Sequence, residues 1–171
     1  MRPIHRLHRT LTPTVFAVVC LLLAAAVFPR PAAATVFKSV YTRPMETGQF
    51  QYLSEFFTGD EAVDNRVLLR TDPAERTGLY VIAELQPRLR DIAPGASIKL
   101  ELIRSDANEI HVHEFPLPTA PVRARIIYLG LTGADWPETD ERLRPVAWRL
   151  RLLDAAGDPV DTWSSFLWEM P

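Results

Sequence analysis

The sequence predicts an all-β protein: one β-sandwich of immunoglobulin-like type, with a small β-barrel as the rival, behind a cleavable leader. Three observations predict it. Short apolar stretches recur along the chain at intervals of about ten to twenty residues, divided by Pro, Gly, Asp and Asn. No window of 11–18 residues carries the i, i+3, i+4, i+7 apolar pattern of a surface helix. The first 34 residues differ in character from the other 137.

Those first residues read as a secretory signal peptide. Arg2, Arg6 and Arg9, with His5 and His8, give a cationic start, and residues 15–28 (VFAVVCLLLAAAVF) are apolar throughout. Ala32-Ala33-Ala34 then offers small residues at −3 and −1 of a cut after Ala34. The apolar run is short of the roughly 20 residues that a spanning helix needs, so no membrane span is expected after processing. Cys20 lies inside the run with bulky Val18 and Val19 before it, so it does not read as a lipidation site. Two domains of the chain follow: residues 1–34 as leader and 35–171 as the sandwich.

Removing the leader changes the totals. Four of the 19 basic residues and none of the 21 acidic ones precede residue 35, leaving 15 against 21 and a net charge of −6. That disfavours nucleic acid as a partner. The only cysteine goes too, so no disulfide and no thiolate metal site is expected. At 137 residues the remainder can bury enough surface to stand on its own core.

The strands follow in order. Residues 36–41 and 50–57 are the first candidates, split by Pro44 and Gly48. Residues 66–71 (RVLLRT) end at the turn Asp72-Pro73, and 79–85 (LYVIAEL) end before Pro87. In 97–104 (SIKLELIR), Ile98, Leu100 and Leu102 oppose Lys99 and Glu101, the alternation of a half-buried strand. Ser105–Asn108 reverses the chain, and 109–115 returns as a hairpin partner with Ile110 and Val112 expected in the core. Residues 123–131 (RARIIYLGL) become apolar on both faces, as a central strand does. In 146–154, Val146, Trp148, Leu150 and Leu152 alternate with Arg149 and Arg151; a turn at 155–158 leads to the last strand, 160–169. Helix candidates are short: 47–57, 74–77 and 138–143. The count fits an immunoglobulin-like sandwich, although the cysteine pair of antibody domains is absent.

Chemistry-bearing residues are few. Glu109, His111 and His113 alternate on one strand, the two His about 6.6 Å apart at 3.3 Å per residue, and could offer ligands to zinc or copper. The plainer reading puts them on the solvated face opposite Ile110 and Val112. Asp135, Glu138, Asp140 and Glu141 share one loop, which suits a solvated acidic run better than paired catalytic carboxylates. Trp136, in that loop, is either a plug over one end of the sandwich or a stacking surface for a sugar or protein. Arg66 and Arg70 share a strand face and either bind a partner's carboxylate or phosphate or pair with nearby acids. Trp163 and Trp168 have opposite parity, so a regular strand sends one outward. Ser164 and Ser165 lie in no nucleophile elbow, and no phosphate-binding, dinucleotide or metalloprotease motif is present, so neither enzyme activity nor a cofactor is expected.

The expected function is therefore that of an exported bacterial protein, periplasmic or secreted, which binds a protein or other cell-envelope component without catalysing a reaction. A carbohydrate-binding module using exposed Trp residues is the first alternative. Metal handling through Glu109, His111 and His113 is the second.

Overall fold

The computed structural model describes residues 35–50, 66–105, 109–136 and 145–170. The leader, most of the strand expected at 50–57 and the acids at 138, 140 and 141 lie outside the described residues.

The described residues form eight strands, with short 3₁₀ turns between some of them: β1 (Phe37–Met45), β2 (Arg66–Arg70), β3 (Gly78–Leu85), β4 (Ser97–Arg104), β5 (Ile110–Pro116), β6 (Ile126–Thr132), β7 (Pro145–Leu153) and β8 (Pro159–Ser164). They form two four-stranded sheets, in the orders β1-β3-β6-β2 and β5-β4-β7-β8, and neither closes into a barrel. All pairings are antiparallel except β2 with β6, which runs parallel with Val67 opposite Ile127.

The alternation read from the sequence explains the core. Leu79, Val81, Ala83 and Leu85 of β3, with Ile127, Leu129 and Leu131 of β6, meet Ile98, Leu100 and Leu102 of β4 and Leu150 and Leu152 of β7. These are the four inner strands of the two sheets, and every one of these side chains is buried. Each fully buried Leu or Ile contributes roughly 1.5–3 kcal/mol. Such a core needs no disulfide.

The first sheet also buries part of its far face. There Tyr80 packs on Phe50 with ring centroids 4.8 Å apart, and Met45, Ile82, Leu68, Ile126 and Tyr128 complete the cluster. Gly130 makes room for Tyr80, since a Cβ on it would fall 2.6 Å from the ring. Phe50 belongs to the 3₁₀ turn Thr47–Phe50, where the sequence suggested a longer helix or a strand.

The two lateral sides of the sandwich differ. At one side β1 meets β8: one oxygen of Asp161 accepts the Val36 amide at 2.6 Å and the Phe37 amide at 2.8 Å. At the other side β2 and β5 flank an open groove of about 690 Å³. Among the described residues, no strand pairs with the outer edge of either.

The last strand is shorter than expected. It stops at Ser164, where the Ser165 amide donates to the Trp148 carbonyl and the Ser165 hydroxyl accepts from the Trp148 amide. A 3₁₀ turn, Phe166–Trp168, follows. The parity conflict between Trp163 and Trp168 is thus resolved by ending the strand. Trp163 packs against the core, and Trp168 lies over the Arg149 guanidinium, 4.9 Å from its ring centroid.

Candidate binding edge and its histidines

Strand β5 carries the most distinctive chemistry, and its orientation reverses the expectation. Ile110 and Val112 point outward, 53% and 50% exposed, whereas His111 and His113 point into the sandwich. The register sets this. Phe115 lies opposite Ile98 and is buried, and the two-residue period then places His113 opposite Leu100 and His111 opposite Leu102. Phe115 and the two aliphatics compete for the inward face, and the aromatic wins because it lies deepest between the sheets. The solvated-face reading of the histidines is therefore overturned.

The imidazoles sit at the margin of the core. The His113 side chain is 16% exposed and that of His111 28%. His113 Nδ1 faces Asp135 Oδ2 at 3.9 Å, beyond hydrogen-bond reach. His111 Nε2 is shut off from solvent and, among the described residues, has no hydrogen-bond partner; Glu109 Oε1 lies 3.7 Å away. Burial holds the His113 pKa below its ordinary 6.5, His111 lowers it further, and Asp135 opposes both.

Glu109, His111, His113 and Asp135 thus form a row along the edge. Among the described residues, however, no three His, Cys, Asp or Glu side chains gather as a metal ion requires. Glu109 precedes β5 and does not converge with His111 and His113 of that strand.

The groove beside them is lined by Leu69 and Arg70 of β2 and by Val112, His113, Phe115 and Pro116 of β5, among others. Arg70 is held in place: its Nε donates to the Tyr80 hydroxyl at 2.8 Å, and its guanidinium lies 5.1 Å from the Phe50 ring centroid. Arg66 lies over Tyr128 at 5.4 Å. The two arginines share a face, as expected, and stack on aromatics. The sequence signal for this was the parity of Leu68, Tyr80 and Tyr128, which puts rings on the outward face of the first sheet.

The tryptophans do not assemble a flat platform. Trp136 is 8% exposed and belongs to the core, where it closes one end of the sandwich with Arg104 stacked 5.9 Å from its ring centroid. Trp163 faces inward and Trp168 outward, on opposite faces of the second sheet. Sequence reasoning missed the outward face of that sheet. There Glu101, 7% exposed, accepts from Arg149 Nε at 2.7 Å and Arg151 Nη2 at 2.8 Å. Burial alone would raise the Glu101 pKa, but the two arginines outweigh it and hold it below 4.5.

Comparison with known protein families, with curated proteins and with solved structures gave no match.

Proposed function

We propose that this is an exported, non-enzymatic binding module of immunoglobulin-like type, which takes an extended segment of a partner protein along β5. The observation that carries the reading is the edge of β5, which among the described residues pairs with no strand, with Ile110 and Val112 half-exposed beside the groove. An edge strand presents free backbone donors and acceptors, and an incoming strand satisfies both chains at once. Its alternate side chains would lie against Val112 on one face and enter the groove towards Leu69 and Phe115 on the other.

The immunoglobulin-like assignment is supported by strand order. The chain crosses between sheets at β3 to β4, at β5 to β6 and at β6 to β7. The orders β1-β3-β6 and β5-β4-β7-β8 correspond to A-B-E and C′-C-F-G, with β2 in the edge place of D. Export is supported by the cationic, apolar and small-residue segments of the first 34 residues. A binding role suits the groove, whose cation Arg70 is already engaged with Tyr80 and Phe50.

The test is site-specific photocrosslinking in native extracellular or periplasmic extract at pH 7.5. A photoreactive residue at Val112 is expected to label one extended partner segment, and Ile110→Lys is expected to abolish that product. Equal labelling from a probe at Tyr41 on β1, or products unaffected by Ile110→Lys, would overturn the reading.

A further inference from the structure

An edge strand with two inward imidazoles raises the question of what holds it to its neighbour. Phe115 anchors one end of β5 in the core. The remaining inward positions are His113 and His111, set against Leu100 and Leu102 of β4. Neither leucine can accept a proton or solvate a charge. A neutral imidazole packs there as a flat, largely apolar ring, but an imidazolium must be solvated or paired.

The surrounding charges supply that pairing only in part: each imidazole has one carboxylate within 4 Å and no hydrogen bond to it. From the 3₁₀ turn Gly133–Asp135, Asp135 approaches His113 at 3.9 Å without a hydrogen bond. From just before β5, Glu109 reaches His111 at 3.7 Å, and from β5 itself Glu114, pointing the other way, accepts from the Ser97 hydroxyl. From β2, Arg70 lines the same groove and adds positive charge. From β4, Lys99 and Glu101 alternate away from the inward face, and Arg104 stacks on Trp136. The two imidazoles also face each other's charge, two residues apart on one face.

We propose that β5 is an acid-loosened edge: with the His113 imidazole neutral it stays docked on β4, and protonation of His113 frees it and so regulates the docking edge. This rests on the reading of β5 as the place where a partner strand adds. Protonation costs the docked strand the packing of His113 against Leu100, whereas a detached strand leaves the imidazolium ion in water. The partner is thereby held near neutral pH and released in a mildly acidic compartment.

The test needs no partner. Amide hydrogen exchange is measured on the full chain alone at pH 7.5 and 5.5, as protection factors that remove the chemical pH dependence of exchange. The β5 amides that pair with β4 are expected to lose at least about threefold in protection at pH 5.5, while those of β3 and β6 hold theirs. His113→Gln is expected to remove the difference. Unchanged β5 protection, a loss shared equally by all strands, or the same loss in His113→Gln would overturn the proposal. If His113→Gln does not fold, NMR titration of the wild-type His113 imidazole decides. Resonances of β5 amides that shift with the same midpoint as His113 support the proposal, and independent midpoints refute it. Failure here leaves the pH 7.5 crosslink from Val112 untouched, and failure of the crosslink leaves the exchange result standing, so the two readings fall separately.

Discussion

Asp161 on β8 accepts the backbone amide of Phe37 on β1 at 2.8 Å, and the same oxygen accepts Val36 at 2.6 Å. The amides come from the start of one sheet and the carboxylate from the edge strand of the other. Asp161 therefore ties the two sheets together at one lateral side of the sandwich.

Asp161→Ala removes a charged acceptor from two amides. Hydrogen bonds to charged groups contribute about 1.5–3 kcal/mol each when a buried partner is left behind, and here both amides lose the same oxygen. The expected loss is about 2–3 kcal/mol, read as a lower urea midpoint with an unchanged m-value. Asp161→Asn, which keeps one carbonyl oxygen, should lose about half as much.

Glu101→Ala leaves Arg149 and Arg151 facing each other without their shared carboxylate. The guanidinium groups are partly solvated, so the cost should fall near the lower end for a broken buried pair, about 3 kcal/mol. Because the folded pKa of Glu101 lies below 4.5, its contribution is complete above that value and is lost as pH falls through the folded pKa. Urea midpoints measured from pH 5 down to pH 3 should decline in the wild type and less steeply in Glu101→Gln.

His113 acts in a higher window. Its folded pKa lies below 6.5, so an unfolded chain takes up the proton first as the solution is acidified. Stability is therefore full above pH 6.5, declines as pH falls through it, and levels off below the folded value. The urea midpoint of His113→Gln should show a flatter dependence between pH 7.5 and 5.5 than the wild type.

Gly130→Ala should be destabilising by about 1–3 kcal/mol, since the new methyl would overlap the fully buried Tyr80 ring. Tyr80→Phe should lose a similar amount for a different reason. The hydroxyl accepts from Arg70 and donates to the Arg76 carbonyl at 2.8 Å, so its removal strips both. Thermal unfolding of the two single variants and the pair checks this, and the pair should be close to additive because Phe keeps the ring that excludes the methyl.

Most of the framework was legible in the sequence because two-residue alternation carries it. The inward sets of β4 and β7 were readable from Ile98, Leu100 and Leu102 and from Leu150 and Leu152, where the opposite face is charged. Strand β5 was misread because Ile110 and Val112 outvote Phe115 in a hydropathy pattern, and only the pairing with β4 reveals which of them reaches the core. For the same reason the inward histidines, the main feature of the candidate site, looked solvated. The pairing of Glu101 with Arg149 and Arg151 needs the β4–β7 register, which local sequence does not encode. Trp136 was readable as a plug or a platform, and its burial selects the plug.

The parallel pairing of β2 with β6 bears on how the chain is made. Val67 waits for Ile127, about sixty residues downstream, before its backbone finds a partner. During synthesis an unpaired Val-Leu-Leu segment is the kind of sticky stretch that nucleates aggregates. Here it is bracketed by Arg66 and Arg70, whose charges repel other copies until β6 arrives. The two residues that rest on aromatic rings in the finished fold thus serve as gatekeepers in the unfinished one.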